Sequence, residues 1–552
     1  MTNPYLALEG ASYVLPDGRT LFSDLSVQFD LCPTGLVGRN GIGKTVLARI
    51  LAGLELPTAG RCLRSGSVYY LAQQVSPPAD TTVAGLAGVQ AALDALERIE
   101  AGSSASADFD AMSDRWDLRP RLRHELDRNG LAHLDAATPA GMLSGGEAMR
   151  VMLIAAWLAD ADFLILDEPS NHLDRQNRQA LIEQLQRWPR GLLVVSHDRQ
   201  LLGAMAGIVE LSSLGLRRYG GNYTFYAQCK EQERRNAIQH LEQRRLERQR
   251  AEQSLREQRE RLERRLARGN RHGHEANQAK ILLDRQQARS ERTAGKLRQQ
   301  HAETREQLAR RVREAAQQVE DDAAIVVHGL PVAPSSQKRV AEMDAVELPF
   351  VPAATRHISL TLTGRQRVGV AGPNGCGKST LLKVLAGSLR PLAGTCRTSV
   401  EGIYLDQRLA NLDPQRTVLD QVLAANHTAT EGELRMRLAQ LGLDAHKIAA
   451  PGGALSGGER LKAALACVLY ADPPAQLLLL DEPSNHLDLP SVQALETMLR
   501  SYQGALVVVS HDDAFMDSLG LTDRLVAAER GVAAGTMVTR VCPCGLGAPF
   551  LG

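Results

Sequence analysis

GRNGIGKT, residues Gly38 to Thr45, returns as GPNGCGKS at Gly372 to Ser379. Both copies fit the pattern GxxxxGK[ST], which decides a fold only when it follows a strand and opens a helix. GLVG precedes the first copy and VLARILAG follows it, while RVGVAG and TLLKVLAG flank the second. In that setting the glycines let backbone N–H groups wrap phosphate oxygens, and the helix N-terminus adds positive potential. Lys44 and Lys378 are placed to reach the outer phosphates of a nucleoside triphosphate, with Thr45 and Ser379 as ligands of its Mg2+.

The repetition extends well beyond these loops. YLAQ ending at Gln73 returns as YLDQ ending at Gln407, with the same offset of 334 residues as the loops. LSGGE at Leu143 returns at Leu455 with an offset of 312. DEPSNHLD at Asp167 and Asp481, and VVSHD with His197 and His511, share an offset of 314. The order is the same in both halves, so the chain carries a duplicated domain. The fall of 22 residues places an insertion in the first half between Gln73 and Leu143. It is expected at about residues 85–116, where the sequence reads as two short helices around a Gly/Ser turn, either a surface loop or a docking arm. The apolar runs FLILD and GLLVVSH in one half, VGVAG and LLLLD in the other, are the signature of a parallel sheet covered on both faces.

At 552 residues the chain exceeds a single core, and the repeat divides it into two large units and a linker. Lys and Arg number 64 against 63 Asp and Glu, so bulk charge points to neither nucleic acid nor membrane. No apolar run approaches the roughly 18 residues of a spanning helix, and the start MTNPYLALEG lacks the pattern of a signal peptide. A cytoplasmic protein without an integral membrane segment is expected. The eight cysteines are scattered and read as reduced thiols; Cys542 and Cys544 stand close together but have no second pair with which to form a zinc site.

Asp167 and Asp481 end apolar strands, which holds a carboxylate rigidly beside the metal. Glu168 and Glu482 follow as candidates to polarise the attacking water. His197 and His511 sit after a third apolar run and are candidates to hydrogen-bond the γ-phosphate. LSGGE followed by DEPSNHLD resembles the ATP-binding cassette superfamily, and specifically its F subfamily, over both halves and the linker. The resemblance implies an α/β fold: two P-loop ATP-binding cassette domains joined by a long α-helical hairpin linker.

It further implies that the cassettes close head to tail on two ATP molecules with Mg2+. The first site then pairs Gly38, Arg39, Asn40, Gly41, Gly43, Lys44, Thr45, Gln73, Glu168 and His197 with Ser456, Gly457 and Gly458. The second pairs Gly372, Pro373, Asn374, Gly375, Gly377, Lys378, Ser379, Thr380, Gln407, Glu482 and His511 with Ser144, Gly145 and Gly146. Thr45, Gln73 and Asp167, and likewise Ser379, Gln407 and Asp481, form the implied metal sets. Ser170 to Asp174 and Ser484 to Asp488 are the loops that communicate between cassettes. ATP holds such a clamp shut and hydrolysis releases it. Tyr13 stands where the family places an adenine-stacking ring; the second half offers Phe350, for which ordinary core packing is an equal alternative. DLCPTGLVG lacks the usual Gly-x-Arg turn, which leaves the start of the first phosphate-loop strand open.

From Lys230 to Glu320 the chain carries 24 Lys and Arg against 15 Asp and Glu, a surplus of nine that the balanced total conceals. Helix-forming sequence is broken by GNRHGH at Gly269 to His274 and then resumes, which reads as an antiparallel hairpin with a sparse apolar stripe through Leu241, Leu255, Leu262, Leu297, Leu308, Val312 and Val319. Arms of about 40 residues would reach roughly 60 Å. Such a rod is either a solvated spacer held by i,i+4 ion pairs or an RNA-contacting arm whose tip uses Arg268, Arg271, His272 and Lys280 on phosphates. The expected domains are residues 1–226, 227–322 and 323–530, with 531–552 a flexible tail. The resemblance implies a partner in the ribosome, its rRNA and tRNA, and a monomeric chain with an intramolecular cassette dimer. The function is then general translation or protection against ribosome-targeting antibiotics. A DNA-structure-binding ATPase and the cytosolic ATPase subunit of an exporter are the alternatives.

Overall fold

The structure is a computed structural model that describes residues 4–73, 81–112, 115–171, 173–275, 299–300, 302–316, 339–400, 402–406, 409, 411–485, 487–527 and 538–540. The chain forms two compact units, one from Met1–Phe225 with Ile325–Gly552 and one from Tyr226–Ala324.

The first unit holds both repeats, each built from the same two sheets. In the first repeat Phe163–Asp167, Gly191–Val195 and Thr34–Gly38 lie side by side in the middle of a six-stranded sheet. Val68–Leu71 flanks them on one edge and Gly207–Ser212 on the other, all parallel, with Gly215–Tyr219 added antiparallel. The second repeat has the same order: Gly402–Leu405, Leu477–Asp481, Ala505–Val509, Arg367–Ala371, Asp523–Ala527 and antiparallel Val538–Arg540. A three-stranded antiparallel sheet completes each repeat, from Tyr5–Val14, Thr20–Phe29 and Ala59–Ser65 in one and Arg339–Glu347, His357–Thr363 and Ala393–Thr398 in the other.

The central strands explain themselves by composition. FLILD, GLLVV, LLLLD and ALVVV are buried at every position, so both faces of the sheet are covered, and each such Leu or Val contributes about 1.5–3 kcal/mol. Parallel pairing also aligns the strand ends. Asp167 lies opposite Val195 and Asp481 opposite Val509, which brings the carboxylates to the same edge as the phosphate loops. The first phosphate-loop strand begins at Thr34, so Cys32 and Pro33 form the turn before it.

The repeats differ between Thr82 and Pro139, which bridge each other as Thr417 and Pro451 do in the second half. The first repeat has the helices Gln90–Glu100 and Ser106–Met112 there, tied by the Arg98 to Asp108 ion pair at 2.7 Å, before Leu118–Arg128. The second passes from Val418–Ala425 directly to Glu431–Gln440, which lies 312 residues after its counterpart. The helix pair is therefore the extra segment.

Two expectations are corrected. The break at Gly269 to His274 is absent: one helix runs through it, from Tyr223 to Glu275, 53 residues and about 80 Å at 1.5 Å per residue. Each of Gly269 and Gly273 costs the helix about 1 kcal/mol, which the surrounding run of Arg, Gln, Glu and Leu offsets. On the return, residues 302–316 are helical. Exposed i,i+4 pairs such as Arg235 with Glu231, Arg248 with Glu252 and Arg310 with Glu314 decorate both segments. The tail also departs from a purely flexible end. Val538–Arg540 extends the second main sheet, as a Val and Thr-rich run does beside an open edge.

Candidate active site

Each phosphate loop turns into its helix at a glycine that only glycine suits. Gly43 has φ 104 and Gly377 φ 98, at the N-caps of Lys44–Ala52 and Lys378–Leu385. A Cβ on Gly43 would press on the Phe22 ring at 3.2 Å, and one on Gly377 on Val351 at 2.7 Å. Lys44 Nζ donates to the carbonyls of Gly38 and Arg39 at 2.9 and 3.0 Å, and Lys378 Nζ to those of Gly372 and Pro373 at 2.8 Å. Each ammonium is thus held over its own loop, and burial pushes that of Lys44 below the usual lysine range.

The carboxylates stand beside these lysines. Tyr70 donates to Asp167 Oδ2 at 3.4 Å and Tyr404 to Asp481 Oδ2 at 3.0 Å, an equivalent pair of phenols 334 residues apart. Burial raises both phenols, Tyr70 to about 12, and the adjacent aspartates add to it. Burial also raises the Asp167 carboxyl, against hydrogen bonds from Thr45 and Tyr70. Asp167 Oδ1 is buried without a hydrogen-bond partner. An orphaned carboxylate oxygen next to a threonine hydroxyl is the donor set a hard divalent cation takes, so the residues fit Mg2+. Gln73 lies on the same cavity wall as Thr45 and Asp167. Gln407 lies outside the described residues.

Glu168 and Glu482 both have φ 49, in the left-handed region that side chains disfavour. Each is held there by its own backbone N–H, donated to Val195 at 2.8 Å and to Val509 at 2.9 Å. Burial pushes Glu168 up to about 8, with Lys44 opposing it, and Glu482 up to about 7, with Lys378 opposing it. His197 Nε2 lies 3.6 Å from Glu168 Oε1 and His511 Nε2 lies 3.4 Å from Glu482 Oε1. Burial and the neighbouring lysines hold these imidazoles neutral, near 3 for His197 and near 4 for His511. A carboxylate poised near neutral pH beside a neutral imidazole is suited to general-base chemistry on a water.

Each site is bounded by both cassettes. Asn40 N–H donates to Asp488 Oδ2 at 2.9 Å, and Asn374 N–H donates to Asp174 Oδ2 at 3.2 Å. The first cavity, about 500 Å³, has Lys44, Thr45 and Glu168 on one side and Ser484, Asn485 and Leu487 on the other. The second, about 350 Å³, has Lys378, Ser379, Thr380 and Glu482 with Leu173 of the first cassette.

Other expected residues are placed differently. Ser144 and Ser456 cap the helices Gly145–Leu158 and Gly457–Leu469 through capping boxes with Glu147 and Glu459. These serines, with Gly145, Gly146, Gly457 and Gly458, are not on the walls of either cavity. Lys462, one turn into the second of these helices, is nevertheless close enough to Arg39 for that charge to add to the burial that lowers its ammonium. Tyr13 packs against Phe22, with ring centroids 6.1 Å apart, and Leu15 and Leu21 supply the cavity wall instead. Phe350 overturns the core-packing alternative: it is 91% exposed, has φ 58 and lies on the second cavity wall. Of the basic tip residues, Arg268 is exposed, Arg271 and His272 continue the long helix, and Lys280 lies outside the described residues.

Two features escaped the sequence reading. Tyr70 and Tyr404 were readable as a repeated pair in YYLAQ and IYLDQ. Arg178, whose counterpart at the offset of 314 is Val492, breaks the repeat, and a repeat comparison sees only what recurs.

The sequence profile of the ABC transporter family matches residues 31–171 and 355–485. The chain is 32% identical over 513 residues to the energy-dependent translational throttle protein EttA of Mycobacterium tuberculosis, covering 88% of this chain and 84% of that one. It is 33% identical over 537 residues to the tylosin resistance ATP-binding protein TlrC of Streptomyces fradiae, covering 90% and 92%. Among solved structures, an archaeal ribosome recycling factor, aABCE1, in complex with a ribosomal stalk protein matches with a TM-score of 0.53 at 18% identity over 94% of this chain and 87% of that one. That likeness concerns the fold.

Proposed function

The chain belongs to the F subfamily of the ATP-binding cassette superfamily and is an ATP hydrolase; on that premise we propose that it is an ATP-gated ribosome-binding factor. The observation that carries the gate is reciprocal. Each phosphate loop is hydrogen-bonded to an aspartate of the opposite cassette, Asn40 to Asp488 and Asn374 to Asp174, so each loop is registered against the other half.

In this reading the two loops bind the phosphates of two ATP molecules, with Lys44 and Lys378 moving from loop carbonyls to the outer oxygens. Thr45, Gln73 and Asp167 would hold Mg2+ at the first site, and Ser379, Gln407 and Asp481 at the second, where it would supply positive charge to the phosphates. Glu168 and Glu482 take the proton of the attacking water, and His197 and His511 orient the γ-phosphate. Ser144 to Gly146 and Ser456 to Gly458 close onto the opposite nucleotide, using helix N-termini that favour an anion. Phe350, exposed at the second cavity, stacks on adenine there. At the first site Leu15 and Leu21 line the cavity while Tyr13 packs against Phe22, so the sites differ in nucleotide affinity.

The ribosome enters through the relatives, one named for translational throttling and one for tylosin resistance. It also fits the cationic helix Tyr223–Glu275, whose length and charge suit an arm that contacts RNA phosphates. Among the described residues no helix is long and apolar enough to cross a membrane. The E168Q/E482Q variant, which is expected to bind ATP without hydrolysing it, tests the reading. It is expected to co-sediment with 70S particles in a sucrose gradient when ATP is present. Protein that stayed at the top of the gradient yet shifted branched DNA would establish the DNA-binding alternative.

A further inference from the structure

The boundary between the cassettes is not symmetric. Asp174 caps the helix Arg175–Gln186, and Arg178 lies one turn into it; Asp488 caps Leu489–Ser501, where the matching residue is Val492. Arg178 is 8% exposed. Its Nη1 donates to the backbone carbonyl of His511 in the other cassette at 2.7 Å, and its Nε forms an ion pair with Asp198 Oδ2 in its own at 2.8 Å, outside hydrogen-bond geometry. Asp198 follows His197 and caps the helix Arg199–Gly203. One guanidinium therefore touches both histidine loops.

The surrounding charges repeat the asymmetry. Asp198 and Asp512 are repeat partners, and burial raises the Asp512 carboxyl, with Asp198 adding to it and Arg199 and Arg178 opposing it. Arg199 reaches Glu496 at 2.8 Å and Arg175 reaches Asp513 at 3.2 Å, both across the boundary. The repeat partners of these three arginines are Leu489, Val492 and Asp513, so the first cassette supplies the cations and the second the acceptors.

We propose that Arg178 is a positioning residue that acts across the cassette boundary on the second ATP site, tying the first histidine loop, through Asp198, to the carbonyl of His511. The proposal rests on the reading of both sites as hydrolytic. His511 is the residue through which the tie acts. Its N–H donates to Glu482 Oε2 at 3.3 Å and its Nε2 lies 3.1 Å from Asn374 Oδ1 in the second phosphate loop. The carbonyl belongs to the peptide that follows the His511 Cα and the N–H to the one that precedes it, so holding the carbonyl restrains one side of the residue that makes both contacts. A planar guanidinium can hold two acceptors in different directions at once, which an ammonium or an alkyl chain cannot. Val492 gives the first site no reciprocal tie; both it and Arg178 lie on the wall of the first cavity, so the effect of Arg178 on each site is read by separating their turnover. The coupling therefore runs from the first histidine loop to the second catalytic pair.

Full-length E168Q protein, in which only the second site turns over, and E482Q protein, in which only the first does, separate the effects. R178V is expected to lower kcat about tenfold in the E168Q background with KM within about twofold, and to lower it by less than about threefold in the E482Q background. R178K keeps the charge but not the fork, and is expected to fall between; should R178V fail to fold, a loss of about threefold or more at the second site alone in R178K carries the test. Equal losses at both sites, a loss in KM alone, or no loss at the second site would overturn the assignment. An E168Q parent without any turnover would instead refute the two-site reading beneath it.

Discussion

Glu168 and Glu482 occupy costly positions on two counts. Their φ of 49 belongs to a region that costs a non-glycine residue of order 1–3 kcal/mol, and their carboxyls are buried against the aspartates of the same strands. DEPSNHLD marked both residues as candidates to polarise the attacking water, but nothing in that string signals a left-handed backbone, because the conformation is held by the hydrogen bond to the neighbouring strand. Phe350 shows the same limit. Its sequence context allowed core or surface, and only the turn that places it at φ 58 decides for the cavity.

Burial of Glu168 has a consequence for stability. Its carboxyl titrates near 8 when folded and near 4.5 when unfolded, so the folded protein keeps a proton that the unfolded chain has lost throughout that window. Stability contributed by the neutral form is therefore lost as pH rises from about 4.5 to 8, and Gln has no proton to lose. E168Q is expected to melt several degrees above the parent at pH 8, with the gap closing toward pH 5; a gap that did not change with pH would contradict the assignment.

At the scale of elements, the central strands were the most legible part of the chain, because continuous apolar runs bounded by glycine and a charged end admit few other readings. The extra helices of the first repeat were legible by subtraction, from the fall of 22 residues in the repeat offset. The helix Tyr223–Glu275 was misread at its end, since Gly269 and Gly273 look like punctuation locally and are outvoted by 53 residues of helix. Its exposed face carries Arg261, Arg264 and Arg268. If that face binds ribosomal phosphates, R261E/R264E/R268E should weaken ribosome binding and flatten its dependence on salt, by up to about one unit of log–log slope for each phosphate that an arginine no longer neutralises. Binding that weakened without any change in salt slope would place the effect elsewhere.

For the whole molecule, the proposed function makes the duplication one clamp and not two independent enzymes. Each phosphate loop is hydrogen-bonded to an aspartate of the other half, and Arg175, Arg178 and Arg199, which reach across the boundary, belong to the first half. That division was half visible in the sequence. The repeated motifs gave the two sites, whereas Arg178 opposite Val492 is a difference between repeats, and its meaning depends on which residues the boundary brings together.

Turnover of Gly457→Asp protein tests the clamp most directly. Gly457 faces open space at a helix N-terminus, where an aspartate suits its own cassette but repels a phosphate presented by the other. In the E482Q background, where the first site alone works, Gly457→Asp is expected to lower kcat at least about tenfold, while in the E168Q background the change stays within about threefold. A loss confined to the second site, the one in the cassette that carries Gly457, would contradict a clamp whose sites are each completed by the opposite half.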